Sequence, residues 1–390
     1  MSKSSVFVIM NITHKCNLSC GYCYYADEMN KKNGVMSIEV IENVFKSFKE
    51  SSLDAIDFCF HGGEPLTVQP DFYEQVFELS DKFLSDKEVS YSIQTNGTII
   101  NEKVIELMKK YNIELGISLD GPEKVHNYFR KYKDGKGSFG EVIKNIDILK
   151  KNNVSFGILS VCNDKTLEFS KEYYPFFKSI APIRSLDLIP PDCVESQTIL
   201  SKGNLSKIFT DIFNQWFYDN SCTFDIRFLS ETVKVLLGFQ SELCTYQKNC
   251  IRSKSMVSID INGDVSPCDN LTHIQLGNVK QNSADQFISK SLERKRYGMI
   301  EDKRINDCVF CEWFKQCNGG CTVNSKAGDN NYYCSDFKKI FSYVKNELIK
   351  NSILNFNGKF EGDVTNIPNP KLKKKIEDTL KMYEDCYLKL

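Results

Sequence analysis

Eleven of the sixteen cysteines in this 390-residue chain fall into two groups with short spacing. The first group is a Cys-x3-Cys-x2-Cys run near the N-terminus, formed by Cys16, Cys20 and Cys23. The second lies in the C-terminal third and comprises Cys244, Cys250, Cys268, Cys308, Cys311, Cys317, Cys321 and Cys334. Three thiolates with no fourth cysteine nearby can hold a 4Fe-4S cluster that keeps one iron open, and eight thiolates suffice for two complete clusters. The spacing therefore indicates an electron-handling enzyme with three iron-sulfur clusters.

Zinc and disulfide bonds are the alternative uses of these cysteines. Zn²⁺ would suit the Cys-x2-Cys pairs. Disulfides would suit a secreted scaffold, but 390 residues with 41% hydrophobic content can bury an ordinary core without them. The first apolar run, Val6 to Met10, is too short for a signal peptide, and no run of about 18 apolar residues predicts a membrane span. We therefore expect a cytoplasmic protein that does not bind a membrane.

The charge balance gives no reason to expect a nucleic-acid partner. The net charge is −1 and the pI is about 6.5, whereas phosphate binding requires a concentrated basic face. The basic run from Lys371 to Lys375 is interpreted as the solvated side of a terminal helix.

Alternating apolar runs and helical periodicity over residues 5–190 predict the elements that position these cysteines. The expected strands are Val6–Ile12, Ile56–Phe60, Val89–Gln94, Ile113–Leu119, Val154–Val161 and Ile183–Ile189. Helices are expected near residues 37–50, 71–84, 101–111, 138–152 and 165–179. Six strands that alternate with helices imply a parallel sheet with right-handed crossovers. The predicted fold is α/β, a partial (β/α)6 TIM-like barrel.

Residues able to do chemistry follow the ends of these strands. The thiol trio follows the first strand, and His61-Gly62-Gly63-Glu64-Pro65 ends the second. Gln94–Gly97 ends the third strand and Ser118–Gly121 ends the fourth. Because reactive groups gather at the C-terminal strand ends of such a barrel, we expect all of them at one mouth.

Local signals predict the remaining organisation. Ser138-x-x-Glu141 resembles a capping box at the start of a helix, and Asn262-Gly263 predicts a two-residue hairpin between Val257–Ile261 and Val265. The expected domains are a barrel over 1–200, a helical bridge over 201–243, a cysteine-rich domain over 244–340 and a helical tail over 341–390.

The motifs together closely resemble the radical S-adenosylmethionine superfamily with a SPASM extension, over roughly residues 5–340. They are the Cys-x3-Cys-x2-Cys run with Tyr22 before its last cysteine, the Gly62–Pro65 motif and the downstream octet of cysteines. The resemblance implies one cluster that binds S-adenosylmethionine and two auxiliary 4Fe-4S clusters. It assigns Cys244, Cys250, Cys268 and Cys321 to auxiliary cluster I, and Cys308, Cys311, Cys317 and Cys334 to auxiliary cluster II.

An open iron can chelate the amino and carboxylate groups of S-adenosylmethionine, and one electron then releases a 5′-deoxyadenosyl radical. Gly62 and Gly63 would let the backbone approach the methionyl amine, and Glu64 completes that motif. The resemblance adds Tyr22 near the adenine, Ser118 at the ribose and Arg130 near the methionyl carboxylate. Alternatively, Ser118 would be a strand-end cap and Arg130 a surface residue.

Asp269, which directly follows Cys268, is the predicted catalytic residue. A substrate radical must lose a proton and an electron to become a closed-shell product, and a carboxylate beside an auxiliary cluster can accept the proton. Relatives that oxidise a peptidyl cysteine or serine use an aspartate at this position. The alternative is a carboxylate that caps the hairpin. Among the other cysteines, Cys59 and Cys162 are expected in the core, and Cys193 could contact substrate.

Two enzymatic functions and one other class remain open. His61-Gly62-Gly63-Glu64-Pro65-Leu66 resembles maturases that cross-link ribosomally made peptides (RiPP maturases), which is the favoured interpretation. Overall layout and Pro267-Cys268-Asp269 resemble anaerobic sulfatase maturases, which make formylglycine from cysteine or serine but usually carry glutamine where this chain has His61. An iron-sulfur electron carrier is the third possibility. Expected partners are a peptide or protein substrate and an external electron donor such as flavodoxin or ferredoxin. Only fifteen residues precede Cys16, so leader binding would need another surface or a separate protein.

Overall fold

The computed structural model describes residues 4–26, 34–192, 200–325 and 330–387. The chain divides into two compact units, each assembled from separate stretches of sequence. The first unit comprises Met1–Leu119, His126–Phe156 and Asn249–Lys303. The second comprises Asp120–Val125, Gly157–Lys248 and Arg304–Leu390.

The described residues contain ten strands and thirteen α-helices. The strands are β1 (Ser5–Thr13), β2 (Ala55–Gly62), β3 (Glu88–Thr95), β4 (Glu114–Ser118), β5 (Phe156–Val161), β6 (Ser185–Ile189), β7 (Asp225–Ile226), β8 (Met256–Ile259), β9 (Asp264–Ser266) and β10 (Gly277–Asn278). The helices are α1 (Ile38–Lys49), α2 (Pro70–Leu84), α3 (Glu102–Lys110), α4 (Glu123–Phe129), α5 (Phe139–Lys151), α6 (Asp164–Glu168), α7 (Ser170–Ser179), α8 (Asn204–Phe217), α9 (Arg227–Leu236), α10 (Leu292–Asn306), α11 (Phe314–Cys317), α12 (Cys334–Lys350) and α13 (Pro370–Tyr387).

The first unit is built on a sheet with the strand order β10-β9-β8-β1-β2-β3-β4. β1 pairs in parallel with both β2 and β8, and β3 pairs in parallel with β2 and β4. β9 is antiparallel to β8 and to β10. The thiol trio follows β1. Because β8 pairs with β1, the β8–β9 hairpin of the cysteine-rich region belongs to the same sheet as the strand that leads into the trio.

Aromatic side chains fix α1 against this sheet. Ser37 caps the helix by accepting a hydrogen bond from the Val40 N–H, and the buried positions recur at helical spacing. Phe45 and Phe48 pack edge-to-face on Phe58 of β2, with ring centroids 5.4 and 5.8 Å apart. β2 is thereby anchored just before its polar end at His61.

The second unit contains β5, β6 and β7, with β6 parallel to both neighbours. Its helices α8 and α12 pack against each other, and α13 is tied to α9 by a buried ionic group. Lys375 lies 2.9 Å from both Asp225 and the fully buried Glu231, and Lys234 lies 3.2 Å from Glu231. The charged face of the terminal helix is thus partly buried rather than wholly solvated.

The structure confirms the predicted partial barrel and corrects two local predictions, the Ser138 capping box and the length of one hairpin loop. Each of the six expected strands is present, with its boundaries shifted by at most two residues. Ser138 does not form a capping box, because its hydroxyl donates to the Arg130 carbonyl, 3.1 Å away, and contacts the His126 ring. The Asn262-Gly263 hairpin is antiparallel as expected, but its pairing from Ile259 to Val265 leaves a longer loop. Gly263 adopts φ +85° there, as in three-residue hairpin loops. Helix α4 was not predicted.

A search of the described residues for a helix long and apolar enough to cross a membrane finds none. The expected domain boundaries at 200, 243 and 340 stay predictions.

Candidate active site and cluster-binding residues

The loop that carries the thiol trio is held by backbone pairing with residues 129–132. Ser19 donates its N–H to the Lys131 carbonyl at 2.8 Å, and Gly21 donates to Phe129 at 3.1 Å. This pairing places Arg130 beside the loop, where its guanidinium lies 5.4 Å from the Tyr22 ring centroid. Sequence distance between the two segments is more than 100 residues, so only the fold brings them together.

Burial disfavours the uncompensated thiolate forms of the cysteines in this loop. Burial raises the pKa of Cys16 to about 11 and also raises the pKa of Cys23. Cys23 is close enough to Arg130 for the guanidinium to oppose that rise. Thiolate is the form that binds iron, and a buried thiolate requires a compensating charge. The trio therefore fits a cluster site rather than free surface thiols.

Gly62 and Gly63, called here the Gly62–Gly63 cradle, lie where the backbone after β2 packs directly against the backbone of Thr13 and Lys15. A Cβ on Gly62, whose φ is +115°, would lie 2.4 Å from the Thr13 carbonyl oxygen, and one on Gly63 would lie 2.3 Å from that of Lys15. The Gly63 N–H donates to Thr13 and the Glu64 N–H donates to Lys15, at 2.7 and 2.8 Å. Close approach of two backbones thus requires glycine here, directly beside the thiol loop.

Glu64 is fully buried and hydrogen-bonded at both oxygens. Oε1 accepts from the Thr95 hydroxyl at 2.7 Å and from the Leu66 N–H at 2.9 Å, and Oε2 accepts from the Asn96 N–H at 2.6 Å. Burial raises the pKa of this carboxyl, and the hydrogen bonds oppose the rise. Glu64 thus fixes the end of β3, and its predicted part in cofactor binding stays a prediction.

The end of β3 in turn reaches the thiol loop. The Asn96 side chain donates to Asn17 at 2.8 Å and lies 3.9 Å from the Cys16 sulfur. Gln94 donates to the Ser118 hydroxyl at 3.1 Å, so Ser118 lies at the same edge of the sheet. The sequence predicts for Asn96 only a place at the end of a strand, and no sequence signal predicts its contact with Cys16.

Asp269 lies within a small polar group in the first unit. The Tyr24 hydroxyl donates to Asp269 Oδ2. Burial lowers the pKa of His61, and the charge of Asp269 opposes that lowering; the same charge acts on Cys59. The Nδ1 atom of His61 is buried and has no hydrogen-bond partner among the residues the structure describes. The charge of the predicted catalytic carboxylate therefore acts at the polar end of β2, although Asp269 follows β9, and β8 and β1 lie between β9 and β2 in the sheet.

Four cysteines of the second unit surround one cavity, of about 110 Å³. The four are Cys308, Cys311, Cys317 and Cys334, and Trp313 and Phe337 line it with them. Burial raises the pKa of Cys317 to about 12, and the other three thiols add to the rise. No three His, Cys, Asp or Glu side chains of the described residues converge tightly enough to chelate a single ion. That these four thiols form one group therefore rests on the cavity they share and on the effect of the other three thiols on the pKa of Cys317. The four are the predicted ligands of auxiliary cluster II.

The predicted ligands of auxiliary cluster I are divided between the units. In the first unit, the Arg294 guanidinium donates to the Ile251 carbonyl at 2.7 Å and so fixes the loop that carries Cys250. In the second, Asn331 donates to the Cys321 carbonyl at 2.8 Å. Cys268 belongs to the first unit and Cys244 to the second. This ligand set stays a prediction.

The other cysteines behave mostly as expected. Cys59 and Cys162 are buried, which confirms their place in the core. Cys193 lies outside the described residues, so its predicted contact with substrate stays a prediction.

Comparison with protein families gives two matches that cover the chemistry-bearing regions. Residues 10–166 match the Radical SAM superfamily, and residues 250–318 match the SPASM iron-sulfur cluster-binding domain. A Cysteine-type anaerobic sulfatase-maturating enzyme of Clostridium novyi is 30% identical over 87% of this chain and 95% of the relative. The chain belongs to the radical SAM superfamily of enzymes with a SPASM domain. This radical SAM/SPASM enzyme accordingly uses S-adenosylmethionine and 4Fe-4S clusters.

Further relatives support the same assignment. A Serine-type anaerobic sulfatase-maturating enzyme of Bacteroides thetaiotaomicron is 29% identical over 84% of this chain and 86% of the relative. A solved structure described as native anSMEcpe with bound AdoMet and Kp18Cys peptide has a TM-score of 0.80 and 27% identity, and covers 89% of this chain and 98% of that one. Streptococcus suis SuiB with S-adenosylmethionine, at 20% identity and a TM-score of 0.59, shares the fold.

Proposed function

We propose that this radical SAM/SPASM enzyme oxidises a cysteine or serine side chain of a protein or peptide to an aldehyde, as a sulfatase-maturating type of enzyme. The observation that carries the proposal is the hydrogen bond from the Tyr24 hydroxyl to Asp269, which ties this carboxylate to the loop of the thiol trio, because Tyr24 directly follows Cys23. Relatives named as cysteine-type and serine-type anaerobic sulfatase-maturating enzymes, similar over most of their length, support it. It replaces the favoured RiPP interpretation with the alternative considered from sequence.

When bound, the clusters and S-adenosylmethionine supply a carbon radical that removes a hydrogen atom, and an oxidised cluster that accepts an electron. Cys16, Cys20 and Cys23 would hold the first cluster. The Gly62–Gly63 segment, which lies directly beside the thiol loop, would present its backbone to the methionyl amine, and Arg130, fixed beside the same loop, would neutralise the methionyl carboxylate. Tyr22, which lies beside Arg130, and Ser118, at the end of β4, would contact the nucleoside.

Asp269 would hold the proton that the substrate loses. For a cysteine, removal of one Cβ hydrogen atom, the thiol proton and one electron gives a thioaldehyde; water then replaces sulfur, giving the aldehyde and hydrogen sulfide. Asp269 Oδ2 accepts a hydrogen bond from Tyr24, which orients the carboxylate while leaving its other oxygen for the substrate thiol. Tyr24 is therefore proposed as a positioning residue.

A RiPP maturase remains the second candidate, and His61 is the observation that favours it. The buried Nδ1 atom of His61 has no hydrogen-bond partner among the described residues. Sulfatase maturases usually carry glutamine at this position. Either reaction needs an external one-electron donor of the flavodoxin or ferredoxin kind, which is available in a reducing cytosol. The RiPP reaction would additionally call for a leader-binding surface or a separate leader-binding protein.

An anaerobic assay separates these functions. Reconstituted, reduced enzyme is incubated with S-adenosylmethionine and two synthetic peptides, one with a single cysteine and no aromatic residue, the other with aromatic residues and no cysteine or serine. We expect 5′-deoxyadenosine and an aldehyde, trapped by a hydrazide and seen by mass spectrometry, with the cysteine peptide alone. A cross-linked product from the aromatic peptide would support the RiPP maturase. Intact clusters with no 5′-deoxyadenosine from any peptide would favour the electron carrier.

A further inference from the structure

His61 lies on the opposite face of β2 from the helices that cover this strand. Phe60 packs edge-to-face on Tyr73 of α2, with ring centroids 5.3 Å apart, and Phe58 packs on α1. Because successive side chains of a strand alternate between its two faces, His61 lies on the other face. Its side chain is partly exposed there, so a bound molecule can reach the imidazole ring.

Asn11 of β1 lies directly beside His61, and the two are called here the Asn11–His61 pair. They are register partners in the parallel β1–β2 pairing, and the side chains of register partners lie on one face of a sheet. Asn11 is only 1% exposed. Its amide nitrogen donates to the Ser258 hydroxyl at 3.1 Å, which holds the side chain in place.

Each member of the Asn11–His61 pair has a buried polar atom without a hydrogen-bond partner among the residues the structure describes. The atoms are Oδ1 of Asn11 and Nδ1 of His61. Because a buried polar atom left unpaired costs free energy, two of them side by side indicate a ligand that bonds to both. Neighbouring strands lie about 4.7–4.9 Å apart, and two hydrogen bonds through one water molecule span up to about 6 Å. One water molecule can therefore bond to both atoms.

A polar cavity beside Asn11 has room for water. Its volume is about 260 Å³, and all nine residues that line it carry polar side chains, Ser258 and Gln275 among them. Polar cavities hold ordered water, whereas apolar cavities of similar size stay dry. This cavity can therefore supply water to the Asn11–His61 pair.

The proposed reaction needs water at its second stage when the substrate is a cysteine. Oxidation gives a thioaldehyde, and addition of water must then replace its sulfur by oxygen. Asp269, the proposed contact of the substrate thiol, acts by its charge on His61, so the pair lies close to the proposed position of the oxidised residue. Burial lowers the pKa of His61, which favours the neutral imidazole, the form that can accept a proton. Glutamine, usual here in sulfatase maturases, cannot act as a base.

We propose that Asn11 and His61 hold a water molecule that hydrolyses the thioaldehyde formed from a substrate cysteine. The inference rests on the proposed function, because it assumes that cysteine is oxidised. His61 takes a proton from the water as the water oxygen bonds to the thioaldehyde carbon, and the sulfur receives that proton. The carbon–sulfur bond then breaks, and the remaining hydroxyl proton passes through His61 to the leaving sulfur. The products are the aldehyde and hydrogen sulfide, and no electron is exchanged at this stage.

Release of sulfide from the substrate tests the proposal during turnover. A peptide whose single cysteine contains a heavy sulfur isotope is mixed anaerobically with excess reduced, cluster-loaded enzyme and S-adenosylmethionine, and samples are quenched over time. The isotope distinguishes substrate sulfide from cluster sulfide. In the parent enzyme we expect labelled sulfide to appear together with 5′-deoxyadenosine. In His61→Gln, which can bind the water but cannot take its proton, sulfide should form at least about 10²-fold more slowly than 5′-deoxyadenosine. A peptide that has lost two hydrogen atoms and kept its sulfur should then accumulate.

A variant of Asn11 locates the water. Asn11→Ala removes the oxygen that positions the water and keeps His61. It should slow the release of labelled sulfide, relative to 5′-deoxyadenosine, by about 2- to 10-fold, the effect of one hydrogen bond between neutral groups. Asn357→Ala, the same change at an exposed position, is the matched control and should leave sulfide release unchanged. Simultaneous appearance of sulfide and 5′-deoxyadenosine in His61→Gln would overturn the proposal.

A second measurement needs no radical chemistry. A synthetic peptide that already carries the aldehyde is rapidly mixed with excess cluster-loaded enzyme and S-adenosylmethionine, without a reductant, in water that contains a heavy oxygen isotope. Borohydride then reduces the aldehyde to an alcohol that keeps the carbonyl oxygen. Because addition of water to an aldehyde resembles addition to a thioaldehyde, the parent enzyme should accelerate entry of labelled oxygen at least about 10²-fold over buffer, and His61→Gln should lose that acceleration. Equal exchange with the parent enzyme, with His61→Gln and in buffer would contradict the proposal.

The two proposals fail in different ways. If His61→Gln loses the oxygen exchange but the parent enzyme oxidises no cysteine peptide, the water site stands and the proposed oxidation fails. If the parent enzyme oxidises the cysteine peptide while His61→Gln shows neither delayed sulfide nor a loss of exchange, the proposed function stands and the water site fails.

Discussion

Replacing Asp269 by asparagine should separate radical formation from product formation. The change removes a base but little structure, because Asn keeps an oxygen that can accept the Tyr24 hydrogen bond. Asp269 is half-buried, and substitutions outside the core usually change stability by less than about 0.5 kcal/mol. Loss of a general base typically costs about 10²–10⁴-fold in rate, which corresponds to about 2.7–5.5 kcal/mol of barrier.

The assay measures two products of the same reaction mixture. Chromatography quantifies 5′-deoxyadenosine, and mass spectrometry quantifies the aldehyde-bearing peptide. We expect the variant to form 5′-deoxyadenosine at a rate within a few-fold of the parent while aldehyde falls by at least about 10²-fold. Iron content and thermal unfolding are measured alongside, and both should match those of the parent.

Tyr24→Phe is the matched variant, because it removes the hydroxyl that orients Asp269 and keeps the carboxylate. It should lose less aldehyde than Asp269→Asn does, since one hydrogen bond to a charged group contributes about 1.5–3 kcal/mol. Normal aldehyde formation by Asp269→Asn, with all clusters bound, would show that Asp269 is a structural carboxylate and refute this reasoning.

Three further predictions concern the first cluster and its cradle. Gly63→Ala should weaken S-adenosylmethionine binding in equilibrium dialysis, because the new Cβ would lie 2.3 Å from a backbone oxygen and force this segment to move. Gly140→Ala is the control and should leave binding unchanged, because a Cβ there would have no atom within 4 Å. Glu64→Gln should lower the free energy of unfolding by about 2–3 kcal/mol in a denaturant titration, because the amide NH2 group of glutamine would face donors that now bond to a carboxylate oxygen. The same change at the exposed Glu78 should not lower it. Replacing all three N-terminal thiols by alanine should lower iron from about twelve to about eight per chain and abolish 5′-deoxyadenosine formation, as the cluster count requires; unchanged iron would contradict it.

The sequence alone predicts those parts of the fold that depend on local pattern. β2, for example, is an apolar run between polar segments, and such runs in parallel sheets are buried on both faces; its observed bounds, Ala55–Gly62, lie close to the expected Ile56–Phe60. Cysteine spacing likewise indicates the cluster ligands, because the thiols of one cluster are partly contributed by single short loops.

Long-range register is what the sequence does not reveal. Nothing in Met256–Ile259 signals that this strand pairs in parallel with β1. No local pattern near Arg130 signals that it lies over Tyr22, and only the family resemblance assigns both residues to the cofactor. Tertiary packing also redirects local motifs: the Ser138 hydroxyl is taken by Arg130 and His126 rather than by its own helix. The polar side chains near Asp269, those of Tyr24 and His61, come from segments far apart in sequence and come together only in the folded protein.

Isotope transfer from the substrate tests the central claim most directly. A peptide whose single cysteine carries two deuterium atoms at Cβ is turned over under reducing, anaerobic conditions, and the 5′-deoxyadenosine is analysed by mass spectrometry. We expect 5′-deoxyadenosine to gain one deuterium and the aldehyde to keep the other. Aldehyde formation with unlabelled 5′-deoxyadenosine, or deuterium gained only from another residue of the peptide, would contradict it.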